Sequence, residues 1–262
     1  MKIIVLLKQV PDTETKVQVK PGETSISTDG VTFVINPYDE YAIEEALRIK
    51  EKKGAGEVTL VSLGWDKSAE SLRTGLAMGA DKAVHLNDPA FLGGDAASTA
   101  LALAKAIKKM QFDLILCGKQ AIDYDNHQVG VRVAELLGIP HVAVVTKLEL
   151  QDGKALAHRE IEGGSEVVET PLPAVITCQK GLNEPRYASL KGIMQAKKKP
   201  LEAKKPADID AAPNEVGKAG AKSTVLTMTM PPERAAGRVV EGEPEVAAKE
   251  VVKLLREEAK VI

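Results

Sequence analysis

What most constrains this chain is the alternation, along its first half, of short continuous apolar runs with longer stretches whose apolar residues recur at helical spacing. Residues 3–7 (IIVLL), Glu57–Leu63, Lys82–Leu86 and 113–117 are runs of the first kind. A strand that is apolar on both faces has to be covered on both faces, the situation of a parallel sheet between helical layers. The stretches between supply the helices. Asn36-Pro37 reads as an N-cap with proline at the first helical position. That helix continues to about Lys53 with Ala42, Ile43, Ala46, Leu47 and Lys50 on one face, and Gly54 stops it. Asp66 is expected to cap a helix carrying Ala69, Leu72, Arg73 and Leu76, and Asp95 to open one ending near Lys109. A further helix is expected over 126–137, directly after the run at 113–117 and Gly118. Strand–helix–strand order with short connections implies right-handed crossovers.

After Pro140 the pattern changes. Residues 142–150, Lys154–Ile161, 166–169 and 174–177 read as strands, with turns at Asp152-Gly153 and Gly163-Gly164, so an antiparallel hairpin joins the sheet. Residues 16–35 hold extended stretches at 16–19 and 31–35 around Pro21-Gly22 and Asp29-Gly30, a β excursion at one edge. From Asn183 the character shifts again. Residues 183–220 are rich in Lys, Ala and Pro and are expected to supply little core. Residues 223–230 are short and β-like, and 244–261 form an amphipathic helix with Val246, Val251, Leu254 and Leu255 on its apolar face. A short helix on a polar arm is marginal alone, so it needs a surface of its own domain or of a partner. The expected class is α/β: a Rossmann-like parallel sheet with an antiparallel hairpin and an extended C-terminal arm.

Composition narrows the function classes. A formal net charge of −2 gives no reason to expect a polyanionic partner, and 3% aromatic residues are too few for a nucleic-acid stacking platform. No run reaches the ~20 apolar residues that span a bilayer. Only Cys117 and Cys178 occur, so the expected compartment is the cytoplasm. His85, His127, His141 and His158 are scattered and neither cysteine has a partner at ligand spacing, so no metal site is expected. Nucleophile-elbow, Walker and G-x-G-x-x-G motifs are all missing from the sequence.

What remains is a loop at a strand's C-terminal end, where open α/β sheets bind ligands. Gly118-Lys119-Gln120-Ala121-Ile122-Asp123-Tyr124-Asp125-Asn126-His127-Gln128-Val129-Gly130 runs from a buried strand through a polar segment straight into a helix. Free N–H groups at that helix start, from about His127 to Val129, would cradle a phosphate. An ordinary βα loop with an asparagine cap would look similar by geometry alone.

The same residues resemble a known family. GKQAIDYDNHQVG, the opening KQVPDT, INPYDEYAIEEALRIKE, LRTGLAMGAD at 72–81 and HREIEGGSEVVETPLPAVITC at 158–178 are similar to the β subunit of electron transfer flavoproteins. LNEPRYASLKGIMQAKKKP at 182–200 resembles that family's partner-recognition loop, and the match runs nearly the whole chain in order. The resemblance implies a fold of adenine-nucleotide-binding type over 1–186, with 187–262 as recognition loop and C-terminal arm embracing an α subunit. It also implies an electron carrier rather than an enzyme with its own substrate. FAD held with the α subunit would relay electrons, while AMP is buried structurally in this chain at Leu6, Asn36, Leu63, Gly118, Asp123, Asp125, His127, Gln128 and Val129. Leu190, Lys197, Lys198 and Lys199 would meet partner dehydrogenases such as acyl-CoA dehydrogenases, with a membrane quinone oxidoreductase as acceptor.

The loop departs from both branches of the family. Electron-bifurcating members, which hold a second FAD in the β subunit, resemble DGDTAQVGP where this chain reads DYDNHQVGV. The common branch carries NQTG, so His127 and Val129 replace Asn and Thr. Backbone donors hold a phosphate whatever the side chain, so AMP is favoured, with FAD as the alternative if Tyr124 leaves room. A stand-alone nucleotide sensor of universal-stress type is a further alternative, which the long arm and terminal helix argue against.

Overall fold

A computed structural model describes residues 1–232 and 237–262. The central sheet is built from β1 (Lys2–Leu6), β4 (Glu57–Leu63), β5 (Lys82–Leu86), β6 (Leu114–Gly118), β7 (His141–Gln151), β8 (Lys154–Ile161), β9 (Gly164–Pro171), β10 (Ala174–Cys178) and β11 (Leu201–Lys204). Its spatial order is β11-β5-β4-β1-β6-β10-β7-β8-β9. The strands from β11 to β7 pair in parallel, and only β7·β8 and β8·β9 are antiparallel. A separate two-stranded sheet pairs β2 (Gln9–Pro11) with β3 (Phe33–Ile35).

Helices cover both faces, as the doubly apolar runs require. On one side α1 (Pro37–Lys53) and α2 (Ser68–Met78) close over a core that includes Val5, Leu60, Leu114 and Ile176. On the other, α3 (Ala96–Lys108) and α4 (Val129–Leu137) close over Ile4, Val61, Ile115 and Val175. Consecutive residues of one strand thus feed two different cores, the period-2 alternation of a strand buried twice. Helix α1 has proline in its first turn, acids Asp39 and Glu40 there, lysines in its last turn, and Gly54 in the left-handed region (φ 67°) closing it onto the Glu51 carbonyl. Ala42, Ile43, Ala46 and Leu47 are buried as the spacing predicts. Helix α3 is opened by Asp95, whose carboxylate accepts from the Ala97 and Ser98 N–H groups.

Several expectations are corrected. The 16–19 stretch is not a strand; the excursion's paired strands are β2 and β3. Helix α2 begins at Ser68 with Lys67 as its cap position, and the Asp66 side chain accepts from Asn87 instead. Residues 223–230 form no strand.

The segment 183–220 contributes more core than its composition promises. Helix α5 (Leu190–Ala196) packs on α2 and buries Ala196 there, β11 adds to the β5 edge, and Ile209, Ala211 and Val216 are buried on the other face of the sheet ahead of the short helix α6 (Gly217–Gly220). Composition counts apolar residues, whereas one edge strand places a few of them where each is fully covered. Arg186 begins this return by forking onto Glu44 at 2.7 Å and Glu51 at 2.6 Å, and the Arg73 guanidinium donates to the carbonyls of Ala196 and Lys199. Beyond α6 the character is different. Helix α7 (Pro244–Glu257) has no buried residue.

Candidate nucleotide site at the switch point

From β1 the chain moves outward through β4 to β5, then returns across to β6 on the other side of β1. The order therefore reverses between β1 and β6, and the C-terminal ends of these strands mark the switch point at which open α/β sheets place a ligand crevice. Leu6, Leu63 and Gly118 end three adjacent strands there. Leu6 is buried and Leu63 half-buried, giving the crevice an apolar wall on the α3–α4 side.

Three polar ties span the crevice. The first is Asp39, buried in the first turn of α1. Its Oδ2 accepts the Lys8 N–H and its Oδ1 the Gly118 N–H, both at 2.8 Å. Position 118 has to be glycine, because a Cβ would stand 2.6 Å from Asp39 Oδ1 and 2.6 Å from the Tyr38 Cβ. Burial pushes the Asp39 carboxyl up to about 7, against the two N–H donors, Asn36 and Lys8, which favour its anion.

The second tie is Asn36, which makes no cap bond to its own helix. Its Nδ2 donates to the Gln120 carbonyl at 2.8 Å and its Oδ1 accepts the Ile122 N–H at 3.2 Å. The expected capping role is thus replaced by a bond pair that shapes the loop after β6. The third tie is exposed: Lys8 Nζ reaches Asp123 at 2.6 Å and lies 4.8 Å from the centre of the Tyr124 ring.

Further along, Gln120 donates to the Asp125 carboxylate, and its buried Oε1 has no acceptor role filled. Asp125 (φ 48°) and His127 (φ 53°) are both left-handed, a conformation Asp and His adopt more readily than most residues, and the Asp125 N–H is taken by the Ala121 carbonyl at 2.9 Å. The helix expected from Asn126 begins at Val129, since the Asn126 side chain instead accepts the Gln128 N–H at 3.3 Å. Gln128 gives α4 no side-chain cap, and it accepts from Arg132 at 3.1 Å. Among the described residues, the N–H groups of Val129, Gly130 and Val131 have no acceptor. A Cβ at Gly130 would lie 2.6 Å from Cys117 Sγ, so glycine lets this helix start press onto the end of β6. An uncapped helix start beside left-handed loop residues has the donor chemistry a phosphate needs.

The predicted residues thus gather at one crevice, in two groups. Leu6, Asn36, Leu63 and Gly118 form its inner wall, while Asp123, Asp125, His127 and Gln128 are exposed on the rim, with Val129 half-buried at the helix start. Tyr124 is 65% exposed, so it does not crowd the interior. Sequence reasoning missed Asp39 and Lys8. Both stand in the quoted KQVPDT and NPYDEY segments, but an acid in a first helical turn reads as a dipole partner until the strand ends it bonds are known.

On a separate face, Leu190 opens α5 and is 83% exposed, with Ser189 accepting the Gly192 N–H as cap. Tyr187, Ile193 and Met194, which the sequence reading did not single out, are exposed beside it. Lys197 and Lys198 are exposed, whereas the Lys199 ammonium donates to the carbonyls of Leu76 (2.9 Å) and Ala80 (2.7 Å) and so closes the end of α2. No His, Cys, Asp and Glu cluster suited to a metal occurs among the described residues, and no described helix is long and apolar enough to cross a membrane.

Comparison with known proteins gives the same direction as the motifs. Residues 24–209 match the family model described as the electron transfer flavoprotein domain. The chain is 47% identical to the electron transfer flavoprotein subunit beta of Bacillus subtilis, with 100% of both chains covered. It is 42% identical to the human subunit of that name over 95% of this chain and 96% of the relative. It is also 41% identical to subunit CarD of the caffeyl-CoA reductase-Etf complex of Acetobacterium woodii, over 97% and 98%.

Proposed function

The chain belongs to the electron transfer flavoprotein family as a β-type subunit, and from that premise we propose that it holds AMP structurally and docks dehydrogenases for an electron relay. The observation that carries the nucleotide reading is the α4 start: free N–H groups of Val129, Gly130 and Val131 behind the left-handed His127. They suit a phosphate, and the Leu6–Leu63 wall suits a flat base. FAD held with an α subunit supplies the redox chemistry. This chain's own part is to bind, to hold the phosphate through uncharged donors and to present Leu190. An exposed apolar anchor flanked by Lys197 and Lys198 fits brief docking to an acidic dehydrogenase surface, with acyl-CoA dehydrogenases as donors and a membrane quinone oxidoreductase as acceptor.

A second reading, FAD in place of AMP, has one specific observation behind it: Tyr124 points outward and leaves space for a larger ligand. The full-length family match argues against a stand-alone sensor. The two nucleotide readings separate when the α/β complex is copurified, denatured and its released nucleotides resolved by chromatography. One AMP and one FAD per complex is the expected result. Two FAD and no AMP would make the 118–131 loop a flavin site.

A further inference from the structure

Among the described residues, Asp39 is the carboxylate whose two oxygens bond one N–H just past β1 and one at the end of β6, and nothing in the proposed relay uses it. We propose that Asp39 is the positioning residue of the nucleotide site: bonded to the Lys8 and Gly118 N–H groups together, it fixes the gap between β1 and β6, and its protonation loosens the bound nucleotide. This rests on the nucleotide reading above and adds regulation by pH to it.

The geometry carries the argument. An ionised carboxylate accepts two N–H bonds symmetrically. A protonated one keeps a single good acceptor and must place its own hydrogen, so one N–H is left poorly paired. The space beside Gly118 is already filled on that side, since even a Cβ there would stand 2.6 Å from Asp39 Oδ1 and from the Tyr38 Cβ. Loss of either bond therefore moves a strand end, and the loop that begins at Gly118 moves with it.

The charged and titratable groups around Asp39 are few. Lys8 on the β1 side is engaged with Asp123, and its charge favours the anion. Cys117 on β6 and Cys178 on β10 both feel the Asp39 charge, but burial holds both thiols far above the neutral range, so neither competes near pH 7. Burial pushes the Asp39 carboxyl up to about 7, which puts its ionisation in the working range.

Two consequences have opposite signs. Because the folded value lies above the ordinary 3.8, the stability this group contributes is full below that value and is lost as pH rises toward about 7. Nucleotide retention follows the anion and changes the other way, weakening as pH falls through the same window. A merely structural carboxylate would move only the first.

The test uses the α/β complex with its bound AMP, wild type beside Asp39→Asn and Asp39→Ser. The rate of AMP loss on dilution is measured from pH 5.5 to 8.5 by filtration and chromatography. For wild type we expect loss to quicken about tenfold as pH falls through 7, the size of one lost bond to a charged group. Both variants should lose AMP quickly at every pH, save for a residual change near pH 6 where the phosphate itself titrates. Asp39→Ser serves if the asparagine variant does not fold. Matching pH profiles in wild type and variants would overturn the proposal while leaving the AMP reading intact. Finding no AMP in the wild-type complex would overturn both.

Discussion

Helices α1 and α7 both carry apolar residues at helical spacing and meet opposite fates. Helix α1, 17 residues long, buries Ala42, Ile43, Ala46, Leu47 and Ile49 beneath the sheet. Helix α7, with 14 residues, buries none, and Val246, Val251, Val252 and Leu255 remain exposed. Amphipathy states that a face requires cover, not what covers it. The core of this chain is completed by α1 to α4 and the return through β11, so the α7 stripe is surplus to the fold. Under the proposed function its cover is the α subunit.

That contrast can be broken by substitution. Leu47→Ala deletes side-chain volume from a closed core and is expected to destabilise the chain by about 2–5 kcal/mol, read as a lower urea midpoint. Leu255→Ala should leave the isolated chain within about 0.5 kcal/mol of wild type, as exposed substitutions do. In the α/β complex the same change should weaken subunit association. If Leu255→Ala lowered the midpoint of the isolated chain as Leu47→Ala does, α7 would pack on its own domain and the comparison would fail.

The point where the packed body ends and the uncovered arm begins is marked by one side chain. The Asp95 carboxylate caps α3 with Oδ1, while its Oδ2 accepts the N–H groups of Lys222 (2.8 Å) and Ser223 (3.0 Å) and the Ser223 hydroxyl. Burial opposes its ionisation, but the Ser98, Lys222 and Ser223 donors outweigh that and hold it down to about 2. Its stabilisation is therefore full above the ordinary 3.8 and lost only as pH falls through about 2, so the arm stays tethered across the neutral range. Asp95→Ala is expected to cost about 1 kcal/mol as a lost cap, and to raise the rate of proteolysis within 221–262. Unchanged proteolysis would mean that the tether does not hold the arm.

How much of this was legible follows from what periodicity can and cannot encode. Residues 3–7 and Glu57–Leu63 announce strands because an apolar run has few other uses, and the N-terminal proline and Gly54 fix the ends of α1. Asn36 was placed correctly at a helix start and given the wrong bonds, because an asparagine side chain spans either a cap or a crevice and only tertiary position decides. The 118–130 loop was legible as a glycine, a polar stretch and a helix start, but the left-handed backbone at Asp125 and His127 leaves no signature in non-glycine residues. Ile209, Ala211 and Val216 were hidden for another reason. Isolated apolar residues in a lysine-rich stretch become core only because β11 finds a free edge at β5.

The smallest expected effect tests the same buried-versus-exposed distinction inside the site. Asp39 and Asn36 tie the crevice from within, whereas Lys8–Asp123 ties it from outside, with the lysine side chain 42% exposed and the aspartate 18%. An exposed pair of this kind is worth at most about 1 kcal/mol, and salt screens it. Lys8→Gln should therefore barely shift the urea midpoint. Its larger effect is expected on motion: without the strap, the rim from Asp123 to Gln128 opens more often, and under the proposed function AMP leaves the complex faster at low salt. At 1 M salt, where screening has already weakened the wild-type pair, the two proteins should release AMP at the same rate. A difference that persisted undiminished at high salt would place the contribution of Lys8 in its packing against the Tyr124 ring rather than in its charge on Asp123.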